Sequence, residues 1–343
     1  MTGDAVGGVW TFSLEMAREL ATRGVSVVLA IMGPTPSEAQ RREAARIEGL
    51  ALHHNPAKLE WMDDPWSDVD AAGDWLLSLE RETGPDIVHL NGYCHGSLPF
   101  RAPVLLTAHS CVLSWWRAVK GGDAPGEWDM YREKVAGGIA AAAEVVAPTH
   151  AMLSAVEEHY GGARRQEVIP NGRRWNHRTE LRKEPFVFSA GRLWDEAKNV
   201  RAVEALAGAI SWPVYLAGDG GESGEAQHLG QLSPRSMEWW LDRASIYVLP
   251  ARYEPFGLSI LEAALAGCAL VLGDIPSLRE NWTGAAEFIA PGDQRALVTA
   301  IESLIADPAA RICLSNAARE RALAFTPERM ACSYVSAYQA LAA

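Results

Sequence analysis

No run of roughly 18 apolar residues occurs in the 343-residue chain, so the sequence offers no membrane-spanning helix. The opening residues, Met1-Thr2-Gly3-Asp4, have neither the basic region nor the apolar core of a secretory leader. Cysteine is scarce and unpatterned. Cys94, Cys111, Cys268, Cys313 and Cys332 are scattered, odd in number, and show no Cys-x-x-Cys spacing. That speaks against a disulfide framework and a structural zinc site, and for a reducing compartment. A cytoplasmic location is therefore the expectation. Positive charge is also in short supply. With 31 Lys and Arg against 43 Asp and Glu, the net charge of -12 disfavours a nucleic-acid partner and broad adhesion to anionic lipid. No Gly-x-Gly-x-x-Gly follows a strand with an acidic residue about twenty positions on, which disfavours a nicotinamide-binding oxidoreductase.

What the chain does contain is two series of short apolar runs between helical stretches. The first is 25–32, 86–91, 104–109, 144–149 and 168–171. The second is 186–191, 214–218, 245–251, 269–274 and 286–291. Most are continuous rather than alternating, the pattern of parallel strands buried on both faces. Strands that alternate with helices imply βαβ units and doubly wound α/β sheets. The polar stretch 172–183 separates the series and reads as an interdomain linker. The spacing predicts domains over 1–172 and 184–325. Residues 326–343 are expected to form a terminal helix, because its start, Thr326-Pro327, carries proline in the first turn.

The richest segment is Glu254-Pro255-Phe256-Gly257-Leu258-Ser259-Ile260-Leu261-Glu262. It follows a buried strand and precedes a short helix that ends at Gly267. The amides of Phe256, Gly257, Leu258 and Ser259 fall at the helix start, where unsatisfied N–H donors and a partial positive charge suit a phosphate. Glu254 sits at the loop mouth and Glu262 lies within the helix, so the two suit hydroxyls to either side of that phosphate. A second segment, Gly191-Arg192-Leu193-Trp194-Asp195-Glu196-Ala197-Lys198-Asn199, lies at a strand's carboxyl end, where open α/β sheets bind ligands. Arg192 and Lys198 can converge there on an anion.

Together these runs resemble the Glu-x7-Glu and Gly-Arg-Leu…Lys-Asn motifs of the family 4 retaining glycosyltransferases, the glycogen synthase-like group 1 enzymes. The resemblance implies the GT-B architecture, two Rossmann-like doubly wound domains facing across a cleft, with the terminal helix 326–343 packing back on the first domain. It implies transfer of a sugar from a nucleotide-diphosphate-sugar donor to an acceptor hydroxyl, without cofactor or metal. No Asp-x-Asp lies where a metal-dependent transferase needs one. Glu254 then holds the donor sugar's hydroxyls and Glu262 the ribose, while Arg192 and Lys198 neutralise the diphosphate. The resemblance extends to Gly218 in a strand-end turn, to Leu232 where the nucleobase meets backbone, and to Gly7 and Gly8 in the loop before the first helix. It also extends to His109, a strand-end residue beside the donor sugar. Asn91 is a lesser candidate on the acceptor side, and His89 reads as core. Trp115, Trp116 and Trp128 suit either an acceptor platform or the first domain's core.

Two departures stand out. The family opens with an apolar strand before its glycine-rich loop, whereas here the loop 3–9 begins almost at Met1, so the first strand is expected to be missing. After Ile169-Pro170-Asn171-Gly172 the family continues with Val or Ile and Asp, and this chain continues Arg173-Arg174-Trp175. The acceptor stays open among small molecules, saccharides and lipid-linked hydroxyls. A sugar-nucleotide isomerase or hydrolase on the same fold, or a non-catalytic nucleotide-sugar-binding protein, are the competing readings.

Overall fold

A computed structural model describes residues 1–175, 182–220 and 224–343. The expected linker 172–183 thus lies partly outside the described residues. The chain divides into two compact units. The first comprises Met1–Arg117, Gly121–Gly172 and Thr326–Ala343, and the second comprises Arg173–Phe325 with the segment Ala118–Lys120.

The first unit holds seven strands: β1 (Thr2–Asp4), β2 (Val27–Met32), β3 (Leu50–Asn55), β4 (Val88–Leu90), β5 (Val104–Thr107), β6 (Glu144–Ala147) and β7 (Gln166–Val168). All pair in parallel, in ladders ordered β1-β2-β3 and β4-β5-β6-β7. The two ladders meet at Thr2 and Asn91. The Asn91 amide donates to Thr2 Oγ1 at 2.8 Å, and Asn91 Nδ2 donates to the Thr2 carbonyl at 2.7 Å.

The first strand is therefore present, contrary to the sequence expectation. It is three residues long and pairs Thr2 with Ala30 and Asp4 with Met32. Thr-Gly-Asp carries no apolar signal. Its strand state comes from backbone bonds to β2 and side-chain bonds to the residue after β4, and the Met1 amino group adds a 2.8 Å bond to the Val28 carbonyl. Two other differences concern edges. β3 is only half-buried and reads Leu-Ala-Leu-His-His-Asn, so the rule for fully buried strands passes over it. β7 ends at Val168, where the run 168–171 was expected to begin.

The second unit holds β8 (Glu184–Ala190), β9 (Val214–Ala217), β10 (Gln227–His228), β11 (Ala244–Leu249), β12 (Ala269–Gly273) and β13 (Glu287–Ile289). The parallel order β10-β9-β8-β11-β12-β13 reverses direction at β8, the doubly wound pattern of a Rossmann-like sheet. Both faces are buried, with the period of two that a strand dictates. Phe186, Phe188, Tyr247, Leu249, Leu270 and Leu272 belong to one core, and Val187, Ile246, Val248, Ala269 and Val271 to the other. Two-sided burial explains why these strands are written as continuous apolar runs. Each fully buried aliphatic side chain contributes about 1.5–3 kcal/mol before chain entropy is subtracted.

The terminal helix, Pro327–Ala342, is capped by Thr326 Oγ1, which accepts from the Arg329 amide at 3.2 Å. Met330, Ala331, Tyr334 and Ala337 bury against Phe12, Leu14 and Met16 of the helix Gly8–Ala21 and against β2. Among the described residues, no helix is long and apolar enough to cross a membrane.

Candidate functional site

In the second unit, the loop after β8 and the loop after β11 come together at the carboxyl ends of the central strands. Asn199 fastens the first loop. It sits at φ 55°, a left-handed conformation that asparagine tolerates, and its Nδ2 donates to the carbonyls of Pro250 (3.0 Å) and Pro291 (2.7 Å). Asp195 is buried and does two jobs. Its Oδ1 accepts from the Ala197 amide at 3.0 Å, and its Oδ2 accepts from Arg192 at 2.9 Å. The Arg192 guanidinium also lies 5.4 Å from the ring centroid of Trp194, whose side chain is 57% exposed.

Lys198 Nζ reaches Glu254 Oε2 at 2.5 Å, with both side chains about six-sevenths buried. The other oxygen of Glu254 accepts from the amides of Gly257 (2.9 Å) and Phe256 (3.4 Å). Gly257 has φ 91°, and a Cβ there would fall 2.6 Å from Ile260 Cδ1, so only glycine makes this turn into the helix Leu258–Leu265. Ser277 Oγ donates to the Glu254 carbonyl at 2.5 Å and fixes the loop from the far side. One helical turn on, Glu262 Oε1 accepts from Arg173 Nε at 2.7 Å. The Tyr247 hydroxyl lies 2.9 Å from Ser259 Oγ and 3.1 Å from the Ala190 carbonyl. Burial holds that phenol protonated, well above its ordinary titration range.

Among the described residues, three cations at the site each meet a carboxylate: Lys198 meets Glu254, Arg192 meets Asp195, and Arg173 meets Glu262. This differs from the sequence expectation in one respect. Glu254 does not stand apart from the four amides expected for phosphate but accepts from two of them, those of Gly257 and Phe256 just before the helix. Sequence reasoning gave no role to Asp195 or Arg173. Arg173 read as solvated surface and as a departure from the family pattern, whereas it is largely buried against Glu262.

Gly218 follows β9. A Cβ there would lie 1.8 Å from the Gly191 carbonyl, and its amide donates to the Gly230 carbonyl at 2.9 Å. Glycine at 218 therefore lets three loops touch. Leu232 is half-buried against the core that contains Phe188 and Tyr247. Among the described residues, no three His, Cys, Asp or Glu side chains converge as metal ligands. A separate groove lined by Glu287, Asp293, Arg295 and Thr299 shares no residue with this cluster.

The first unit carries the remaining candidates. Gly7, at φ 76°, and Gly8 are exposed at the start of the helix Gly8–Ala21, and Asp4 Oδ1 accepts from the Val6 amide at 2.7 Å. His109 is half-buried two residues beyond β5. Its Nε2 lies 2.8 Å from Asn91 Oδ1, and the Phe12 ring meets it edge-on at 4.6 Å. Burial lowers its pKa to about 4, so it is neutral at pH 7. His89 is core: its ring nitrogens lie 2.6 Å from the Tyr338 hydroxyl and 2.7 Å from Thr107 Oγ1. Trp115, Trp116 and Trp128 form one half-buried aromatic run with centroids 6.1 and 6.4 Å apart, and Trp128 also packs on Tyr131.

Residues 6–173 match the family described as Glycosyltransferase Family 4, and residues 174–321 match Glycosyl transferases group 1. The chain belongs to the group 1 glycosyltransferases. Its two Rossmann-like units are those of the GT-B fold. Within this family, glycogen synthase of Mycobacterium tuberculosis is 42% identical over 97 residues, which are 27% of this chain and 23% of that protein. The match thus spans about a quarter of the relative's length. A D-inositol 3-phosphate glycosyltransferase of Geodermatophilus obscurus is 27% identical, and the match covers 99% of this chain and 86% of that one. Among solved structures, Anabaena HepE in complex with UDP-glucose superposes with a TM-score of 0.77 at 16% identity, over 99% of each chain.

Proposed function

We propose that the protein is a retaining, metal-independent glycosyltransferase of the hexosyl-transferring class. It moves a sugar from a nucleotide-diphosphate-sugar donor to an acceptor hydroxyl. The observation that carries this reading is the contact among Lys198, Glu254 and the Gly257 amide at a strand's carboxyl end. An incoming diphosphate has the same partners as the Glu254 carboxylate, a lysine and helix-start amides. Exchange releases Glu254 to accept hydrogen bonds from the donor sugar's hydroxyls. Arg192, steadied by Asp195, takes a second phosphate oxygen. Glu262, steadied by Arg173 through Oε1, offers Oε2 to the ribose. The loop at Gly7 and Gly8 borders the phosphates, Gly218 and Leu232 border the nucleoside, and His109 accepts from a hydroxyl of the transferred sugar.

In this reading the bond from the anomeric carbon to the diphosphate breaks, and its electron pair leaves on the phosphate. The acceptor oxygen bonds the same face of that carbon, and its proton passes to the departing phosphate oxygen. Lys198, Arg192 and the amides stabilise the charge as it develops, the part a divalent ion plays elsewhere. A cytoplasmic location belongs to the reading and is supported by five cysteines that form no disulfide among the described residues. The acceptor is a small molecule, a saccharide or a lipid-linked hydroxyl.

The test is a thermal-shift screen against UDP-, GDP- and ADP-sugars, beginning with UDP-glucose, followed by transfer assays with and without acceptors. A donor at 100 times its dissociation constant stabilises by about 2.7 kcal/mol. The product keeps the donor's anomeric configuration, and turnover survives a chelator. Donor loss without acceptor points instead to an isomerase or hydrolase, and binding without turnover to a non-catalytic binding protein.

A further inference from the structure

Asn91 was a lesser candidate for touching the acceptor, but its amide is committed inside the first unit. The Thr2 carbonyl can only accept a hydrogen bond, so the Asn91 atom 2.7 Å from it is the NH2 group. The same amide's oxygen then faces His109 Nε2 at 2.8 Å. That oxygen can also only accept, so Nε2 must carry a hydrogen. A neutral imidazole has one N–H, which leaves Nδ1 as a bare acceptor. Among the described residues, Nδ1 has no hydrogen-bond partner. Thr2 is buried and holds Asn91 twice, because its Oγ1 also accepts from the Asn91 amide at 2.8 Å. The Phe12 edge limits rotation of the His109 ring.

We propose that Thr2 and Asn91 are positioning residues that fix His109 as the Nε2–H tautomer, so that Nδ1 is presented as the acceptor for a substrate hydroxyl. The hydrogen on Nε2 follows from the geometry, and the bare Nδ1 from the neutrality of the buried ring. Its use in transfer rests on the proposed glycosyltransferase reading. The three-residue strand β1 thereby gains a role besides pairing with β2, since its first residue sets the proton position on a side chain 107 positions away. Histidine needs such a partner wherever one ring nitrogen must be bare, because the free ring exchanges between tautomers.

Nitrogen-15 histidine labelling tests this, with His109→Gln used to assign the signal. Wild type shows Nε2 protonated and Nδ1 bare at pH 7, and Nδ1–H in wild type overturns the proposal. Asn91→Leu gives a mixture of tautomers and a turnover number at least tenfold lower, while donor KM stays within about threefold. Asn91→Asp sets a carboxylate against both the ring and the Thr2 carbonyl, so it raises the His109 titration point and also lowers turnover. Thr2→Ser keeps both contacts and keeps wild-type spectra and rate. An unchanged tautomer in Asn91→Leu, or a changed tautomer with unchanged turnover, overturns the positioning role. If His109→Gln itself leaves turnover intact, the assignment of His109 to the reaction fails, and the spectra still decide the tautomer.

Discussion

Around Lys198 and Glu254 the second unit satisfies its polar groups with charge, and around His109 the first does so with neutral hydrogen bonds. Around the helix start at Leu258, three cations each hold a carboxylate, one of them from 89 positions away. Around His109 the partners are an amide, a carbonyl and an aromatic edge. The difference suits different tasks. Paired charges can exchange one anion for another, as a diphosphate requires. A neutral relay cannot exchange charge but can fix where a proton sits.

The strongest way to break this contrast is to remove the central cation. Lys198→Ala is expected to lower kcat/KM roughly a hundred- to a thousandfold, the scale of losing a group that meets developing charge. It also leaves Glu254 buried without its cation. If steady-state kinetics give less than a tenfold loss, the exchange picture of the second unit is wrong.

Acid should act on the first unit. The folded pKa of His109 is pushed down to about 4, below its unfolded value of about 6.5, and burial lowers His89 well below that value too. A lowered histidine contributes stability that is fully present above about pH 6.5 and is lost as pH falls toward the folded pKa. Between pH 6.5 and 5 the loss is about 2 kcal/mol for His109. Urea melts of wild type and His109→Gln at pH 7.5 and pH 5 check this, and the variant should lose less. Equal losses would mean that His109 is not held neutral by the fold.

The two glutamates sharpen the comparison within the second unit. Glu254→Gln is expected to lower turnover and Glu262→Gln to weaken donor binding, each about ten- to a hundredfold for a charged hydrogen bond of roughly 1.5–3 kcal/mol. Negligible effects from both, by calorimetry and initial rates, remove the segment from the site.

Arg173→Ala should give the smallest effect, a several-fold rise in donor KM, because it frees Glu262 Oε1 without removing the carboxylate. The effect should vanish in a Glu262→Gln background. Persistence there would mean that Arg173 acts on something else.

Much of the fold was legible in the sequence. The central strands of the second unit are continuous apolar runs because both of their faces are covered, and that pattern needs no partner to be recognised. β3 and β10 were passed over because edge strands carry mixed residues. β1 was passed over because Thr-Gly-Asp is a strand only beside β2 and Asn91. The candidate residues were legible by type and spacing, since Arg192 and Lys198 share one loop and Glu254 and Glu262 flank one helix start. Their pairing was not. Lys198 and Glu254 are 56 positions apart, and Arg173 and Glu262 are 89 apart.

By itself, then, the sequence determined which strands are buried on two faces, where a helix start stands ready for an anion, and which charged side chains lie near it. Those properties depend on neighbours along the chain. Tertiary structure alone decided that Lys198 meets Glu254, that Arg173 meets Glu262, and which nitrogen of His109 carries its hydrogen. Those depend on distances of under 3 Å between residues far apart in the chain that only the fold brings together.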